Sequence, residues 1–388
     1  MNASDGERRA AIRFIVCVGL VSLFADMTYE GAHSIVGPYL KELGATATMV
    51  GIVAGFGEMI AASARYFSGK LADKTRAYWT IVIASYSVNI IVIPAIAYVS
   101  TWQAVALLII AERTGKAMRG PARDLLLSEA TEVVGHGFGF GLHAAMDQTG
   151  AVAGPLLVAA VIAKKQHIGP AFLALGIPAV LAVASILLAY ASRHIRPTPP
   201  NVKPQAELPP VFWTYVVASG ALAAGFLDFP LLSYHFEQAS LFHPEVIPIL
   251  YAGAMAMVGI SALVFGRLFD RFGIGVLAAG IILSMLMLPL GFLFGKVGAV
   301  ISVLCWGIGL GVQDATLRGG IAQVVSMNKR GTAFGIFNGV YGVLWFLGSA
   351  IMGALYDRSL VALVVFGVAA QAVAAVMFAR LAGRLRAA

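Results

Sequence analysis

The sequence predicts an all-α membrane protein of twelve transmembrane helices. Of its 388 residues, 59% are hydrophobic and 12% are charged, whereas a soluble domain carries roughly a quarter charged residues. A span needs about 20 mostly apolar residues. Twelve such stretches lie near 11–38, 46–69, 77–99, 102–122, 137–162, 169–191, 211–236, 244–266, 274–295, 298–322, 332–355 and 360–382. They are continuously apolar, unlike the alternating strands of a transmembrane barrel.

The segments between the spans are too short for a soluble catalytic or DNA-binding domain. We therefore expect no enzymatic chemistry, no catalytic residue, no cofactor and no nucleic-acid partner. The two cysteines, Cys17 and Cys305, lie inside apolar stretches and provide neither a disulfide framework nor a thiolate metal site.

The net charge of +8 comes from basic residues at the ends of spans. If twelve spans alternate, one side receives Arg8, Arg9, Arg13, Lys74, Arg76, Arg193, Arg196, Arg267, Arg271, Lys329, Arg330, Arg380, Arg384 and Arg386. The positive-inside rule places that side in the cytoplasm. We expect a multi-pass inner-membrane protein, monomeric, with both termini cytoplasmic; Lys164 and Lys165 are an exception to the pattern.

A proline-rich stretch over 193–210 divides the chain after the sixth span, because it cannot form a helix. The predicted domains are an N-terminal six-helix bundle over 1–192, a cytoplasmic linker over 193–210 and a C-terminal six-helix bundle over 211–388. The two halves repeat a short motif, since GKLAD at 69–73 follows the second span and GRLFD at 266–270 follows the eighth.

With this internal repeat, the chain resembles the major facilitator superfamily (MFS) over essentially its whole length. The resemblance implies two pseudo-symmetric six-helix bundles and transport by alternating access. The sequence of 150–155, GAVAGP, resembles the GxxxGP signature that the superfamily associates with antiporters. Arg113 resembles the family's buried arginine, which is linked there to proton coupling.

A set of gating residues is expected from these motifs. Asp73 and Asp270 lie at the cytoplasmic ends of spans, where each could hold neighbouring helix ends in one conformational state. The complete gating set is Gly69, Asp73, Arg119, Gly150, Gly154, Pro155, Gly266 and Asp270.

Ionisable residues near mid-membrane are functional hypotheses, because each costs at least about 2.5–3.5 kcal/mol on insertion scales. In the first span Asp26, Glu30 and His33 have the spacing i, i+4, i+7 and share one helical face with Tyr29. The fourth span carries a basic stripe of Lys116, Arg119 and Arg123 that begins at Glu112, with Arg113 adjacent. An ion-paired structural network, or snorkelling basic side chains, would also explain such stripes.

The predicted sites follow from these residues. The proton-coupling set is Asp26, Glu58, Asp147 and Arg113. The substrate-binding set is Asp26, Tyr29, Glu30, His33, Glu58, Arg113, Asp147, Asp228, Gln313, Asp314 and Arg318.

The sequence therefore predicts a secondary active transporter with a small molecule or ion as substrate, protons as coupling ions and the lipid bilayer as its environment. Proton-coupled export is preferred, and uptake by symport remains open. The principal alternative is efflux of a divalent transition metal, with His33, Glu30 and Asp26 as ligands. A receptor or scaffold is a further alternative, but it would gain nothing from the cost of so many mid-membrane charges.

Overall fold

The computed structural model describes residues 5–192, 208–326 and 329–387. Over these residues the chain is helical and contains no strand. The helices are α1 (Asp5–Glu42), α2 (Ala47–Thr75), α3 (Tyr78–Ala95), α4 (Trp102–Val134), α5 (His136–Lys165), α6 (Gly169–Ala174), α7 (Gly176–Ser192), α8 (Pro210–Gly225), α9 (Phe229–Gln238), α10 (Val246–Phe272), α11 (Gly275–Met285), α12 (Met287–Leu293), α13 (Gly295–Val324), α14 (Arg330–Tyr356) and α15 (Leu360–Ala387). The all-α prediction is confirmed.

The fifteen helices correspond to the twelve predicted spans, because three spans are interrupted. The sixth consists of α6 and α7, the seventh of α8 and α9, and the ninth of α11 and α12. Within the described residues, eleven segments are long and apolar enough to cross a membrane. The remaining span is α4, which has 33 residues but carries Glu112, Arg113, Lys116 and Arg119 along its length.

The chain divides into two compact units. The first comprises Met1–Ile35 and Ala64–Pro200, and the second comprises Val36–Ser63 and Asn201–Ala388. The N-terminal part of α1 and the C-terminal part of α2 thus belong to the first unit, and the rest of both helices to the second. The predicted linker lies largely outside the described residues, at 193–207, and the six-plus-six division stays a prediction.

In the first unit, one apolar core joins α1, α3, α4 and α7 around Phe14, Val18, Tyr86, Leu127 and Ile186. A second set of contacts joins α1 to α5 through glycine. A Cβ at Gly150 would meet the Leu23 carbonyl oxygen, and one at Gly154 would meet the Met27 carbonyl oxygen. Small residues permit such close backbone approach between membrane helices, so these glycines fix the position of α1, which carries the predicted polar stripe.

In the second unit, the core contains buried residues of α8, α11, α13, α14 and α15, among them Tyr215, Leu277, Ile321 and Phe378. Helices α10 and α13 also meet through glycines. A Cβ at Gly307 would meet the Ala254 carbonyl oxygen, and one at Gly311 would meet that of Val258. Close packing of small residues therefore organises this unit as well.

Candidate functional site

The predicted polar stripe of α1 faces the basic stripe of α4 in the first unit. Asp26 Oδ1 lies 4.0 Å from Arg119 Nη2, and Glu30 Oε1 lies 3.4 Å from Lys116 Nζ. His33 Nδ1 lies 2.7 Å from Arg113 Nη2. From one pair to the next the residue number rises along α1 and falls along α4, so the two helices are antiparallel here. We call these paired residues the acid–base ladder.

The Tyr29 ring lies against the cations of two rungs, Lys116 and Arg113. Its ring carries Lys116 Nζ at 3.0 Å from the ring centroid and Arg113 Cζ at 4.6 Å. The His33 ring stacks on it, with centroids 5.9 Å apart and an interplanar angle of 11°. Cations are attracted to the face of an aromatic ring, most strongly where water is excluded. Tyr29 is 7% exposed, so its buried ring faces a buried cation, Arg113, and a partly exposed one, Lys116.

The His33–Arg113 rung fixes the protonation state of the imidazole. A guanidinium has donors and no acceptor, so Nδ1 of His33 must accept and His33 is the neutral tautomer with its proton on Nε2. His33 is 8% exposed and Arg113 is 4% exposed. Arg113 Nε also lies 3.9 Å from Glu112 Oε2. The buried guanidinium thus lies between a neutral imidazole and a carboxylate.

A fourth contact extends the acid–base ladder by one helical turn. Arg123 Nη1 donates to Ser22 Oγ over 3.4 Å, and Ser22 Oγ lies 2.7 Å from His143 Nε2. Arg123 also pairs with Asp124 at 2.9 Å. The sequence did not assign Ser22 to a site. The available signal was Ser22 at i−4 from Asp26, which continues the same face of α1.

Asp147 approaches the ladder from α5. The charges of Asp26, Arg123, Lys116 and Arg119 act on its carboxyl. Asp147 is itself partly buried. Asp147 therefore lies within the electrostatic reach of the ladder without being one of its rungs. On the same helix, Pro155 of the predicted gating set lies inside α5, which continues through it.

In the second unit, Asp228 lies where the seventh span is interrupted. It has extended backbone dihedrals immediately before α9 and is 4% exposed. Its Oδ2 accepts from Trp345 Nε1 at 3.0 Å and from Ser349 Oγ at 3.4 Å. The adjacent Leu227 carbonyl accepts from Trp306 Nε1 at 2.8 Å. One indole thus satisfies a backbone carbonyl that the interruption leaves without a helical partner, and the other donates to the Asp228 carboxylate.

Tyr341 lies among three other predicted residues of the second unit, Gln313, Asp314 and Glu58. Its hydroxyl donates to Gln313 Oε1 over 2.6 Å, and the charges of Asp314, Glu58 and Asp228 act on it. Asp314 and Arg318 are both exposed in the protein. Glu58 therefore belongs to this cluster, and Asp26 belongs to the acid–base ladder of the first unit.

Two of the predicted gating positions have close neighbours that are informative. A Cβ at Gly69 would lie 3.8 Å from the Cβ of Pro121 in α4, and a Cβ at Gly266 would lie 3.9 Å from the Cβ of Ala315 in α13. The two repeat motifs therefore occupy corresponding places, each against the next-but-one span. Asp270 is exposed near the end of α10, and the Asp73 side chain lies outside the described residues.

Comparison with known proteins shows a consistent similarity. Residues 18–349 match the family model of the Major Facilitator Superfamily. An uncharacterized protein of Mycobacterium tuberculosis is 40% identical over 381 residues, covering 95% of this chain and 92% of the relative. An uncharacterized MFS-type transporter of Methanocaldococcus jannaschii is 23% identical over 374 residues, covering 92% of each.

Solved structures share the fold. A mutant of the nucleoside transporter NupG superposes with a TM-score of 0.76 at 16% identity, covering 95% of this chain and 99% of that one. An auto-inhibited POT family peptide transporter gives a TM-score of 0.71 at 14% identity, covering 96% and 97%. Identities this low carry information about the fold and none about the substrate.

Proposed function

This chain belongs to the Major Facilitator Superfamily and is a multi-pass membrane transporter, and from that premise we propose that it exchanges protons for a small solute. It exports the solute across the inner membrane by alternating access, with both termini in the cytoplasm. The charge distribution supports this orientation, since basic residues gather on the side that carries the termini. The likeness of 150–155 to the antiporter signature supports exchange over symport.

The acid–base ladder is the observation that carries the proposal. Three rungs place carboxylates or an imidazole of α1 against cations of α4. Burying such charges is costly in a membrane, and a stable helix pair does not require them. A proton bound to Asp26 or Glu30 would neutralise the carboxylate of that rung and leave the paired base without a counter-charge. Binding or release of a proton therefore changes the strength of the contact between α1 and α4 directly.

Asp147 is the group from which we expect the proton to be exchanged most readily. The rung carboxylates Asp26 and Glu30 each lie within 4.0 Å of one base, whereas Asp147 is acted on by the acid Asp26 as well as by the bases Arg123, Lys116 and Arg119. A cationic solute and a proton would compete for this carboxylate. Competition of that kind produces exchange, because either ligand must leave before the other binds.

The metal-efflux alternative finds less support in the arrangement of the donors. His33 Nδ1 is occupied by Arg113, and both Glu30 and Asp26 face bases that would have to be displaced. Within the described residues, no group of three or more histidine, cysteine or acidic side chains is arranged to hold a metal ion. A metal would therefore require the first unit to rearrange before binding.

The test uses purified protein in liposomes loaded with a pH-sensitive dye. Cations, divalent metals and organic anions are screened for proton flux on addition. Asp26→Asn, Glu58→Gln and Asp147→Asn should each be compared with the parent for gradient-driven transport and for solute exchange without a gradient. An amide keeps the shape of the carboxyl and cannot titrate, so a coupling residue loses the first activity and keeps the second.

Glu42→Gln is the matched control, because Glu42 is an exposed acid at the end of α1 and outside the ladder. Exposed ion pairs contribute little, so this variant should behave as the parent. Calorimetric titration with nickel, cobalt, zinc and iron completes the test. Submicromolar metal binding that disappears in Asp26→Asn would overturn the proposal, as would full gradient-driven transport in all three variants.

A further inference from the structure

Helix α3 carries two buried polar side chains that find no hydrogen-bond partner among the described residues. Asn89 is 2% exposed and Tyr86 is 1% exposed. In the part of the chain that the structure describes, the Asn89 Oδ1 and Nδ2 atoms and the Tyr86 hydroxyl have no hydrogen-bond partner. A buried polar group left unpaired costs about 1–3 kcal/mol. Such groups in a membrane helix therefore indicate a ligand.

Helix α4 also carries two buried side chains with one unsatisfied polar atom each, Glu112 and Arg119. Glu112 is 4% exposed and Arg119 is 2% exposed. Over the same described residues, Glu112 Oε1 and Arg119 Nη1 have no hydrogen-bond partner. Arg119 uses Nη2 toward Asp26 in the ladder, and Glu112 uses Oε2 toward Arg113. Each residue thus has one atom engaged on the ladder and one that remains unsatisfied.

The packing of α3 on α4 brings these four residues to matching levels. A Cβ at Gly115 would lie 3.3 Å from the Ser85 carbonyl oxygen and 3.5 Å from Val88 Cβ. Arg119 Cζ lies 4.4 Å from the centre of the Tyr86 ring. Consecutive helices with a short connection are antiparallel, so the turn of α4 before Gly115 meets the turn of α3 that follows Ser85. Glu112 is therefore level with Asn89, as Arg119 is with Tyr86.

We propose that this α3–α4 polar cluster, formed by Tyr86, Asn89, Glu112 and Arg119, binds water and carries a proton on Glu112. Water supplies the missing hydrogen bonds, since a buried water makes about three of them. A proton arriving on that water transfers to Glu112 Oε1, which forms an O–H bond and leaves a neutral water molecule. The inference rests on the proposed function and adds a proton site on the side of α4 that faces α3.

Asn89 is suited to serve both protonation states of Glu112. Its amide has both a donor and an acceptor. When Glu112 is ionised, Nδ2 donates toward the carboxylate, directly or through water. When Glu112 is protonated, Oδ1 accepts from the new hydroxyl. No rearrangement of the helices is required, so the proton can enter and leave while α3 and α4 stay packed.

The charged groups around Glu112 lie on α4 and α1. Arg113, Lys116 and Arg119 of α4 favour the carboxylate, and Asp26 and Glu30 of α1 oppose it. Asn89 and Tyr86, the cluster residues on the neighbouring helix α3, are uncharged. The occupancy of Glu112 by a proton therefore depends on the state of the ladder. A proton bound at Asp26 or Glu30 removes an opposing charge, so we expect the two sites to favour alternate occupancy.

Infrared difference spectroscopy tests the proposal on the full-length protein in lipid. The protein is switched between acidic and alkaline buffer, and the C=O stretch of protonated carboxyls is recorded. Glu112→Gln should remove one titrating band, and Asn89→Leu should shift that band because it deletes its hydrogen-bond partner. Ser87→Ala, on the same helix, is the control. In water labelled with oxygen-18, an O–H band of internal water should shift in the parent and be lost in Asn89→Leu.

Three outcomes overturn the assignment. Glu112→Gln leaves every titrating carboxyl band in place, Asn89→Leu shifts the band no more than Ser87→Ala does, or the labelled-water band is absent from the parent. The spectra need no transported solute, so they remain decisive if the proton-flux assay fails. If the flux screen identifies a solute and Glu112→Gln abolishes its equilibrium binding without changing the carboxyl bands, the cluster is a solute subsite and the proton assignment is wrong.

Discussion

Arg113 donates a hydrogen bond from Nη2 to Nδ1 of His33 over 2.7 Å, so a charged guanidinium depends on a neutral imidazole for its buried partner. Protonation of His33 at Nδ1 would turn the acceptor into a donor and place two cations side by side. The rung therefore holds only while His33 is neutral. Of the three main rungs of the ladder, this one is broken by a proton that adds a charge, whereas the other two are broken by a proton that removes one.

Removing the acceptor of this rung should destabilise the protein. We expect His33→Leu to lose about 1.5–3 kcal/mol, the usual contribution of a hydrogen bond to a charged group, and to lose transport. His33→Asn should retain most of both properties, since Asn Oδ1 can accept where Nδ1 did. Thermal unfolding in detergent and solute flux in liposomes measure the two effects. Equal behaviour of the Leu and Asn variants would show that the acceptor is unimportant.

The close contact between α5 and α1 gives a second prediction. A Cβ at Gly150 would meet the Leu23 carbonyl oxygen, and nothing lies within 4 Å of a Cβ at Gly141 on the same helix. We expect Gly150→Ala to destabilise the protein by about 1–3 kcal/mol, as overpacking does. Gly141→Ala should be neutral or slightly stabilising, because alanine is the better helix former. Thermal midpoints in detergent would decide, and a Gly150→Ala midpoint as high as that of Gly141→Ala would refute the packing argument.

The two faces of the ladder were predictable from spacing within each helix, since i, i+4, i+7 defines one face of α1 and of α4. The pairing was not. Which base meets which acid depends on how far the helices slide past each other, and the glycine contacts of α1 with α5 help to set that position. The sequence contains those glycines but not the partner they approach. The fourth contact, at Ser22, could not be predicted for the same reason. Ser22 is also neutral, so the pattern of charged residues does not mark it.

Two other features of the protein, at Asp228 and Asn89, could not be predicted from charge and hydropathy alone. Asp228 was expected in the middle of a continuous span, and it lies at the interruption before α9. Gly225 and Pro230 flank that break, and such residues are a recognisable signal for it. Asn89 carries no charge, so the pattern of acids and bases along the spans does not mark it. A neutral amide buried without a partner is visible only once its neighbours are placed.

Asp270 gives a prediction about conformational exchange. It is exposed near the C-terminal end of α10, in the second copy of the repeated motif. We expect Asp270→Asn to slow solute exchange several-fold while solute affinity stays within about a factor of two, because the substitution alters a contact that differs between states and leaves the binding residues unchanged. Exchange rates and equilibrium binding are measured on the same liposomes. Glu245→Gln, on the residue preceding the same helix, is the control; weaker binding at a normal rate would contradict the gating role.

The N-terminus of α2 depends on a residue that lies far away in the sequence. Asp357, between α14 and α15, accepts from the backbone N–H of Ala47 at 3.2 Å and of Thr48 at 3.0 Å. Its Oδ2 also accepts from Thr48 Oγ1 at 2.6 Å. A helix leaves its first N–H groups without intrahelical partners, and a negative charge at that end is favourable. Asp357 thus adds to the cap provided by Thr46, whose Oγ1 accepts from the backbone N–H of Met49 at 3.3 Å.

Substitutions at this cap should follow an order set by what each removes. Asp357→Ala removes the acceptors and the charge, so we expect a loss of about 1 kcal/mol. Asp357→Asn keeps one acceptor and should lose about half of that, and Thr48→Val removes a hydroxyl donor and should lose least. Hydrogen exchange at the first turn of α2 is the local readout, and it should accelerate in the same order. Arg358→Ala changes the neighbouring residue of the same loop and should leave exchange unchanged. If Asp357→Ala accelerated exchange no more than Arg358→Ala, the first turn of α2 would be held by its packing and not by this carboxylate.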